Sequence, residues 1–289
     1  MDKKEFSEGE WLYEIGPKNN VFELNFKEIW HYRDLLMLFV KRDIVTVYKQ
    51  TILGPLWYFI QPLFTAITFT IIFNNVAGIQ TGKVPSFLFN LAGIVVWNYF
   101  TACLNETSDT FKKNAAIFGK VYFPRVILPM SIVITNLVKL GIQLIIFIVF
   151  YVYFLTQGME SHVNWLFIFY PLLIVVMGLL GLGFGMLISS MVTKYRDLTF
   201  LVSFGVQLLM YVSAVMYPMD LVKEKLPQFG WLIEYNPLAY VVETSRYLLL
   251  GEGTFSIWGT VYTILVSIII FLFGLIIFNR TEKSFIDTV

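Results

Sequence analysis

The chain has 289 residues, of which 57% are hydrophobic, 18% aromatic and only 14% charged, and its formal net charge is +1. These values lie well outside the soluble globular range, so a soluble enzyme or binding domain is excluded and an integral membrane protein is indicated. The single cysteine, Cys103, cannot form an intrachain disulfide or a cysteine metal site, and we expect it to be a small packing residue.

The chain begins with a mostly polar stretch that we divide into a variable cytoplasmic leader, 1–25, and an amphipathic interfacial helix, 26–53. At the helical period of 3.6 residues, one face of this helix is charged and mainly basic and another is apolar. The first face carries Lys27, His31, Asp34, Lys41, Arg42 and Lys49, and the second carries Tyr32, Leu36, Val40, Ile44 and Tyr48. Such a helix lies on the membrane surface, and docking of a partner protein is an additional role that the pattern leaves open.

Six apolar stretches are long enough to cross a bilayer, whose hydrocarbon core of about 30 Å needs about 20 helical residues. They are 54–77, 87–108, 126–155, 166–192, 198–218 and 257–278, and residues 279–289 follow as a tail. The predicted fold class is therefore an all-α polytopic membrane protein with six transmembrane helices.

Basic residues are distributed unevenly between the loops. Sixteen of them precede the first span, lie in the loops after spans two and four, or lie in the tail. The opposite side holds only Lys83, Lys223, Lys225 and Arg246. Because lysine and arginine are retained on the cytoplasmic side, both termini are predicted to be cytoplasmic, in agreement with the even number of spans.

The segment 219–256 contains two apolar pieces that are each too short to cross the membrane. We predict a re-entrant helical hairpin between spans five and six, and a surface-lying amphipathic pair is the alternative. The candidate residues of an outer gate in this hairpin are Tyr235, Asn236, Pro237, Glu243 and Arg246.

The chain shows no energy source of its own. No span has an acidic residue in its interior, which argues against an ion-coupled carrier, and no G-x-x-x-x-G-K-[ST] phosphate loop is present. The run "GLLGLGFG" at 178–185 lies within an apolar helix, where Gly181, Gly185 and Ser189 recur every four residues. This small-residue stripe predicts the close approach of another helix rather than a nucleotide site.

Two segments resemble a known family. "KRDIVTVYKQTILGPLWYFIQPL" at 41–63 and "YNPLAYVVETSRYLLLGE" at 235–252 are similar to the membrane subunits of polysaccharide-exporting ABC transporters, the O-antigen and teichoic-acid export permeases. The resemblance implies two copies of this permease and two ATP-binding subunits, with ATP and Mg in the partner and no cofactor in this chain. It also implies export of a lipid-linked glycan across the bacterial cytoplasmic (inner) membrane. An ABC permease for a drug, lipid or other substrate is the alternative.

Residues for contact with the ATPase and for the substrate conduit can be named on this basis. The contact candidates are Arg33, Lys41, Arg42, Asp43, Lys112 and Lys113. The basic loop after span two is explained by topology, so no nucleic-acid partner is expected. Because aromatic rings stack on sugars, the conduit candidates are Trp57, Tyr58, Phe59, Trp97, Tyr99 and Phe100. An aromatic belt at the lipid head groups is the competing interpretation.

Span three carries a polar stripe, because Lys139 shares a helical face with Asn136 and Gln143. Lys139 either belongs to the conduit, near glycan hydroxyls or a pyrophosphate, or lies close to the membrane boundary and extends its amine to water. Both interpretations are retained.

The join between the interfacial helix and span one contains Gly54-Pro55, with Pro62 two turns later. Gly54-Pro55 is predicted to end one helix and begin the next, and Pro62 to weaken the span locally by freeing a backbone carbonyl. These three residues form a predicted hinge that passes movement of the interfacial helix to span one.

Overall fold

A computed structural model describes residues 26–50, 54–118, 123–160, 165–195, 197–225 and 227–286, and every regular element in these ranges is helical. The predicted leader 1–25 lies outside the described residues, as do 51–53 of the join and the last three residues of the tail. The all-α prediction is confirmed.

The N-terminal segment forms two helices, α1 (Phe26–His31) and α2 (Arg33–Gln50), where one continuous helix was predicted. The side chains of Leu36, Phe39 and Val40 on α2 are buried and belong to a hydrophobic cluster with Phe123 and Ile127 of the chain that leads into span three. The apolar face of α2 thus packs on the protein itself, and its orientation is fixed by the bundle.

Within the described residues, five helices are long and apolar enough to cross a membrane. The first is α3 (Trp57–Phe69), which follows a 3-10 turn at Gly54–Leu56 and continues as a π-helix at Thr70–Val76. The others are α4 (Ser86–Ser108), α6 (Ile127–Thr156), α7 (Tyr170–Lys194, preceded by a 3-10 turn at Trp165–Phe169) and α12 (Ile257–Ile286). These helices correspond to predicted spans one, two, three, four and six. A short helix, α5 (Thr110–Phe118), follows α4.

The predicted fifth span is shorter in the structure. Helix α8 (Leu198–Val212) has 15 residues, about 22 Å at 1.5 Å per residue. It ends at Ser213 because the backbone of the next residues turns away to surround a buried arginine, described below. A sixth crossing therefore stays a prediction.

Helix α4 forms the centre of the bundle. It packs against α3, α6 and α7, and α7 in turn packs against α12. A Cβ atom added at Gly181 would lie 3.0 Å from the carbonyl oxygen of Phe100, and one at Gly185 would lie 3.0 Å from that of Leu104. The predicted small-residue stripe is confirmed, since these glycines allow the backbones of α7 and α4 to touch.

Between α8 and α12 the chain forms α9 (Met219–Lys225), a 3-10 turn at Pro227–Phe229, α10 (Gly230–Glu234) and α11 (Pro237–Leu250). Most side chains of α11 are buried, and the helix contacts α4, α7 and α12. Asn236 caps its N-terminus by accepting a hydrogen bond from the backbone N–H of Leu238, and Gly251 follows its C-terminus with φ +71°. Burial of α11 argues against the surface-lying alternative, whereas the depth of this hairpin in the membrane stays a prediction.

Candidate functional site

A cluster of polar side chains lies where α2, α3, α4 and α6 meet, and we call it the junction cluster. Its centre is Glu106 of α4. One carboxylate oxygen of Glu106 accepts a hydrogen bond from the Lys139 ammonium at 2.6 Å, and the other accepts one from the Asn136 amide at 3.1 Å. The same ammonium lies 5.6 Å from the ring centroid of Tyr58, within the range of a cation–π interaction.

The positions of the junction-cluster residues on α3, α4 and α6 explain why their side chains meet. Asn136 and Lys139 are three residues apart on α6, so their side chains share a face. Glu106 lies near the end of α4, which packs along α6, and Tyr58 lies in the first turn of α3. The predicted polar stripe of span three thus faces protein. Lys139 is ion-paired rather than only extended towards water, and its side chain is largely buried.

The junction cluster lines a cavity of about 230 Å³, the junction cavity. Its walls are Asp43, Ile44, Thr46, Tyr58, Glu106, Thr135, Val138, Lys139 and Ile142. A second cavity of about 430 Å³ shares Asp43 and Glu106 with the first and is also lined by Arg42, Lys113 and Asn114. Together they run from the exposed basic residues of α2 and α5 to the ends of three spans.

Asp43 belongs to this cavity rather than to the outer basic surface. Its carboxylate accepts hydrogen bonds from the Arg42 guanidinium, with both N–O distances at 2.8 Å, and its side chain is half-buried. The other five predicted ATPase-contact residues, Arg33, Lys41, Arg42, Lys112 and Lys113, are exposed. Lys113 pairs with Asp109 at 3.1 Å. Of these exposed cations, Arg42 and Lys113 line the larger cavity.

The aromatic conduit candidates divide into two groups. Trp57 is 53% exposed on α3, next to half-buried Tyr58 and Phe59. By contrast, Trp97, Tyr99 and Phe100 are buried in the core around α4. Their burial argues against a place at a conduit wall, because α4 is covered by neighbouring helices on the faces that carry them.

The open face of α4 is polar instead. Asn105 is exposed, and Asn98 and Thr101 are partly exposed on the same side of the helix. Exposed polar groups also occur on α3 and α8, at Gln61 and Gln207. Polar side chains in membrane helices normally face other protein or a water-filled cavity, so we expect this face to be covered in the assembled protein.

The predicted gate residues form a fixed structure around Arg246, which is fully buried on α11. Its guanidinium donates to the carbonyl oxygens of Ala214 at 2.8 Å and Val215 at 2.5 Å, and it pairs with Glu243 at 3.2 Å. It also lies 3.8 Å from the ring centroid of Phe89 on α4. Asn236 is buried and donates to the carbonyl of Val212 at 3.2 Å, while Tyr235 is exposed and Pro237 begins α11.

Of the predicted hinge, the structure shows an unusual backbone conformation at Gly54 but an uninterrupted helix at Pro62. Gly54 has φ +42°, in the left-handed region that disfavours other residues, and it begins the 3-10 turn that includes Pro55. Pro62 is buried and lies inside α3, which continues through it. The irregularity of this span lies further along, in the π-helix at Thr70–Val76.

Several polar contacts were not found by sequence reasoning. Asn90 of α4 donates to Thr70 at 3.1 Å and to Asn74 at 2.8 Å, which ties the π-helix to the bundle core. Glu106 is visible in the sequence as the acidic residue that ends span two, but nothing in its spacing identifies Lys139, 33 residues later, as its partner. Thr135 carries no signal at all, since a threonine in an apolar helix is ordinary.

We predict that Lys139→Met lowers stability through the loss of its ion pair. Glu106 would keep a partly buried charge without its ammonium partner, at a cost of about 1–2 kcal/mol, between the values of exposed and buried pairs. Thermal unfolding of the purified chain measures this cost. In a Glu106→Gln background the same substitution should cost clearly less, and an equal cost in both backgrounds would show that the pair contributes nothing.

These features define a class of protein: a polytopic helical membrane protein with a polar, partly open face. No cluster of metal-ligating residues is found among the described residues. Residues 34–250 match the ABC-2 type transporter family, so the chain belongs to this family of transporter membrane domains.

Curated relatives extend the match to most of the chain. An O-antigen export system permease protein of Klebsiella pneumoniae is 30% identical over 256 residues, covering 88% of this chain and 94% of the relative. A second protein of that description from the same species is 29% identical over 257 residues, with the same coverage of both chains. A Myxococcus xanthus relative of the same description is 24% identical over 212 residues, covering 73% of this chain and 78% of its own length.

Proposed function

We propose that this chain is the permease subunit of an ABC exporter that moves a lipid-linked, O-antigen-like polysaccharide across the bacterial inner membrane. The observation that carries the proposal is the 30% identity to an O-antigen export permease over nearly the whole length of both chains. In this proposal the chain is not itself an enzyme. It holds no cofactor, and ATP and Mg are bound by a separate ATP-binding subunit.

The exposed cations of α2 and α5 form the proposed docking surface for that subunit. Lys41 and Arg42 on α2 and Lys112 and Lys113 on α5 are exposed, and Arg42 and Lys113 line the larger of the two cavities. Since α2 packs on the end of α6 through Leu36 and Val40, a push on this surface reaches the spans directly. The same surface carries the basic residues expected on the cytoplasmic side, which supports cytoplasmic termini.

A second copy of the chain is proposed to complete the conduit, with two ATP-binding subunits on the cytoplasmic face. The α3 and α8 helices are largely exposed and flank a bundle whose α4 presents Asn98, Thr101 and Asn105. Polar groups at this position need protein or water rather than lipid tails. A symmetric pair of these faces would enclose a water-filled path that is polar on α4 and aromatic at Trp57.

The proposal is tested by reconstitution. The chain is purified with the ABC ATP-binding subunit of the same organism, both are placed in proteoliposomes, and transfer of lipid-linked polysaccharide to the opposite leaflet is followed after addition of ATP. We expect a stable complex and ATP-dependent transfer. Absence of a complex with the ATPase, together with unchanged polysaccharide export in a strain that lacks the chain, would contradict the proposal.

Gly54→Ala is expected to impair export while membrane insertion stays normal. Alanine at φ +42° is strained by about 1 kcal/mol, and relief of this strain changes the angle at which α3 leaves the 3-10 turn. Replacing Gly54-Pro55 by Ala-Ala should have the stronger effect. Surface polysaccharide and the amount of protein in the membrane are the two measurements.

Gly158→Ala is a matched control for this prediction. Gly158 has φ +95° and lies in the loop after α6, and no atom of the described residues lies within 4 Å of an added Cβ. An alanine there is at least as strained as one at Gly54 but lies away from the hinge, so export of this variant should stay near that of the unaltered protein. Equal loss in both variants would show that strain anywhere, and not the hinge, limits export.

A further inference from the structure

We propose that the junction cavity is a subsite for one sugar ring of the exported glycan. The inference rests on the proposed function and adds the place where the glycan is recognised within one protomer. It is drawn from the mixture of groups around the cavity, which no single structural role explains: two carboxylates, one ammonium, two threonine hydroxyls and the face of a tyrosine.

The chemistry of the wall matches a sugar. Carboxylate oxygens of Asp43 and Glu106 accept hydrogen bonds from hydroxyl groups, and the Lys139 ammonium donates to ring or hydroxyl oxygens. Tyr58 supplies an aromatic ring at the cavity wall, and the apolar C–H face of a pyranose would pack against such a ring. Apolar contacts on the other side come from Ile44 and Ile142.

The charge of the cavity favours hydroxyl groups over a phosphate. Among the described residues that line it, the only cation is Lys139, and Glu106 already holds this ammonium at 2.6 Å. Asp43 is likewise held by the Arg42 guanidinium at 2.8 Å, so each of the two carboxylates already has its cation. The pyrophosphate of a lipid carrier would therefore have to compete with these carboxylates for a cation, whereas a neutral sugar needs none.

The size of the cavity is sufficient for a six-membered ring. An apolar cavity of about 150 Å³ holds benzene in another protein. The junction cavity has a volume of about 230 Å³, and the adjoining cavity of about 430 Å³ gives room for the rest of a chain.

Thr135 supplies the observation that points most directly to a ligand. Its side chain is buried and lines the cavity, yet its hydroxyl has no hydrogen-bond partner among the described residues. A buried hydroxyl without a partner is costly, and valine of the same shape would remove that cost. Threonine at this position gains a partner when a sugar hydroxyl occupies the cavity.

The test compares Thr135→Val with Thr107→Val. The Thr107 hydroxyl is also buried without a partner among the described residues, but it lies where α4 meets α7 at Gly185, away from the cavity. We expect Thr135→Val to reduce export about fivefold to tenfold, the effect of one lost hydrogen bond, with unchanged or higher thermal stability. Thr107→Val should leave export unchanged.

If Thr135 has only a structural role, Thr135→Val will not reduce export in this selective way. Export equal to that of the unaltered protein in Thr135→Val, with equal or higher stability, would overturn the subsite. That outcome leaves the proposed function in place, since export by the unaltered chain is measured in the same strain. Loss of export together with loss of stability in Thr135→Val would also overturn it.

A labelling experiment detects occupancy directly. Thr46→Cys places a thiol at the exposed side of the cavity wall, in a Cys103→Ser background, and Met37→Cys places one on the exposed surface of the same helix, away from the cavity. Maleimide labelling is compared in membranes that contain the cell's own lipid-linked polysaccharide, with an inactive ATPase, and in membranes blocked in glycan assembly. We expect the glycan to slow labelling at residue 46 and not at residue 37. Equal rates at residue 46 in both membranes would overturn the subsite.

Discussion

Replacing Arg246 by leucine is expected to prevent the hairpin between α8 and α12 from folding. The guanidinium donates to the carbonyl oxygens of Ala214 and Val215 and pairs with Glu243 in a site from which water is excluded. Leucine would leave those carbonyl groups without their donor and Glu243 as an uncompensated buried charge. Breaking a buried pair in this way costs about 3–5 kcal/mol, a large part of the stability of a typical protein domain.

The measurement is the amount of monodisperse protein after detergent extraction, together with its unfolding temperature. Arg246→Lys should recover little of the yield or of the unfolding temperature, because a lysine ammonium cannot donate to the same set of carbonyl groups as the planar guanidinium. Replacing Glu243 and Arg246 together by methionine should be less harmful than Arg246→Leu, since no charge is left unpaired. Lys225→Leu, an exposed cation of α9, is the control and should be neutral. Normal yield and unfolding temperature in Arg246→Leu would contradict a structural role.

Composition and periodicity were enough to predict an all-helical membrane protein, because each span must satisfy its backbone hydrogen bonds within itself. Five spans, the hairpin helix α11 and the close contact of α7 with α4 follow from apolar length and from small residues at a four-residue repeat. Family membership followed from two short motifs, which lie at 41–63 and 235–252 and fall largely within the matched residues 34–250.

The details that sequence reasoning missed depend on how helices face one another. Trp97 and Asn98 are adjacent on α4, yet the first is buried in the core and the second is partly exposed. A span that is apolar overall does not reveal which of its faces is covered. The π-helix at Thr70–Val76 was unpredicted for a similar reason, since it is held by Asn90 from a different span.

Sequence reasoning identified some residues of the candidate site but not which residues they contact. Lys139 and Tyr58 were identified from the polarity of one stripe and the aromatic start of span one, and the structure brings them together around Glu106. The apolar face of α2 was predicted correctly, but the surface it covers was not. Its burial on Phe123 and Ile127 could only be known once span three was placed beside it.

Helices α7 and α12 touch through their backbones, and this contact gives the second large prediction. A Cβ atom added at Gly183 would lie 2.8 Å from the backbone nitrogen of Phe271 and 2.9 Å from the carbonyl oxygen of Ile270. From the other side, a Cβ at Gly274 would collide with the carbonyl oxygen of Gly183. Both obstacles are backbone atoms, which cannot rotate away as a side chain does.

Gly183→Val is therefore expected to force α12 away from α7 and to reduce the yield of folded protein severely. Overpacking of a well-packed core costs about 1–3 kcal/mol and sometimes more, and a backbone obstacle places this variant at or above the upper end. Gly141→Ala on α6 is the matched control, because its added Cβ has no atom of the described part of the chain within 4 Å, and it should be neutral or slightly stabilising. Fluorescence-detected gel filtration and thermal unfolding compare the two variants. A Gly183→Val protein that elutes and unfolds like the unaltered chain would show that α7 and α12 have room to separate, and that their backbone contact does not hold the bundle together.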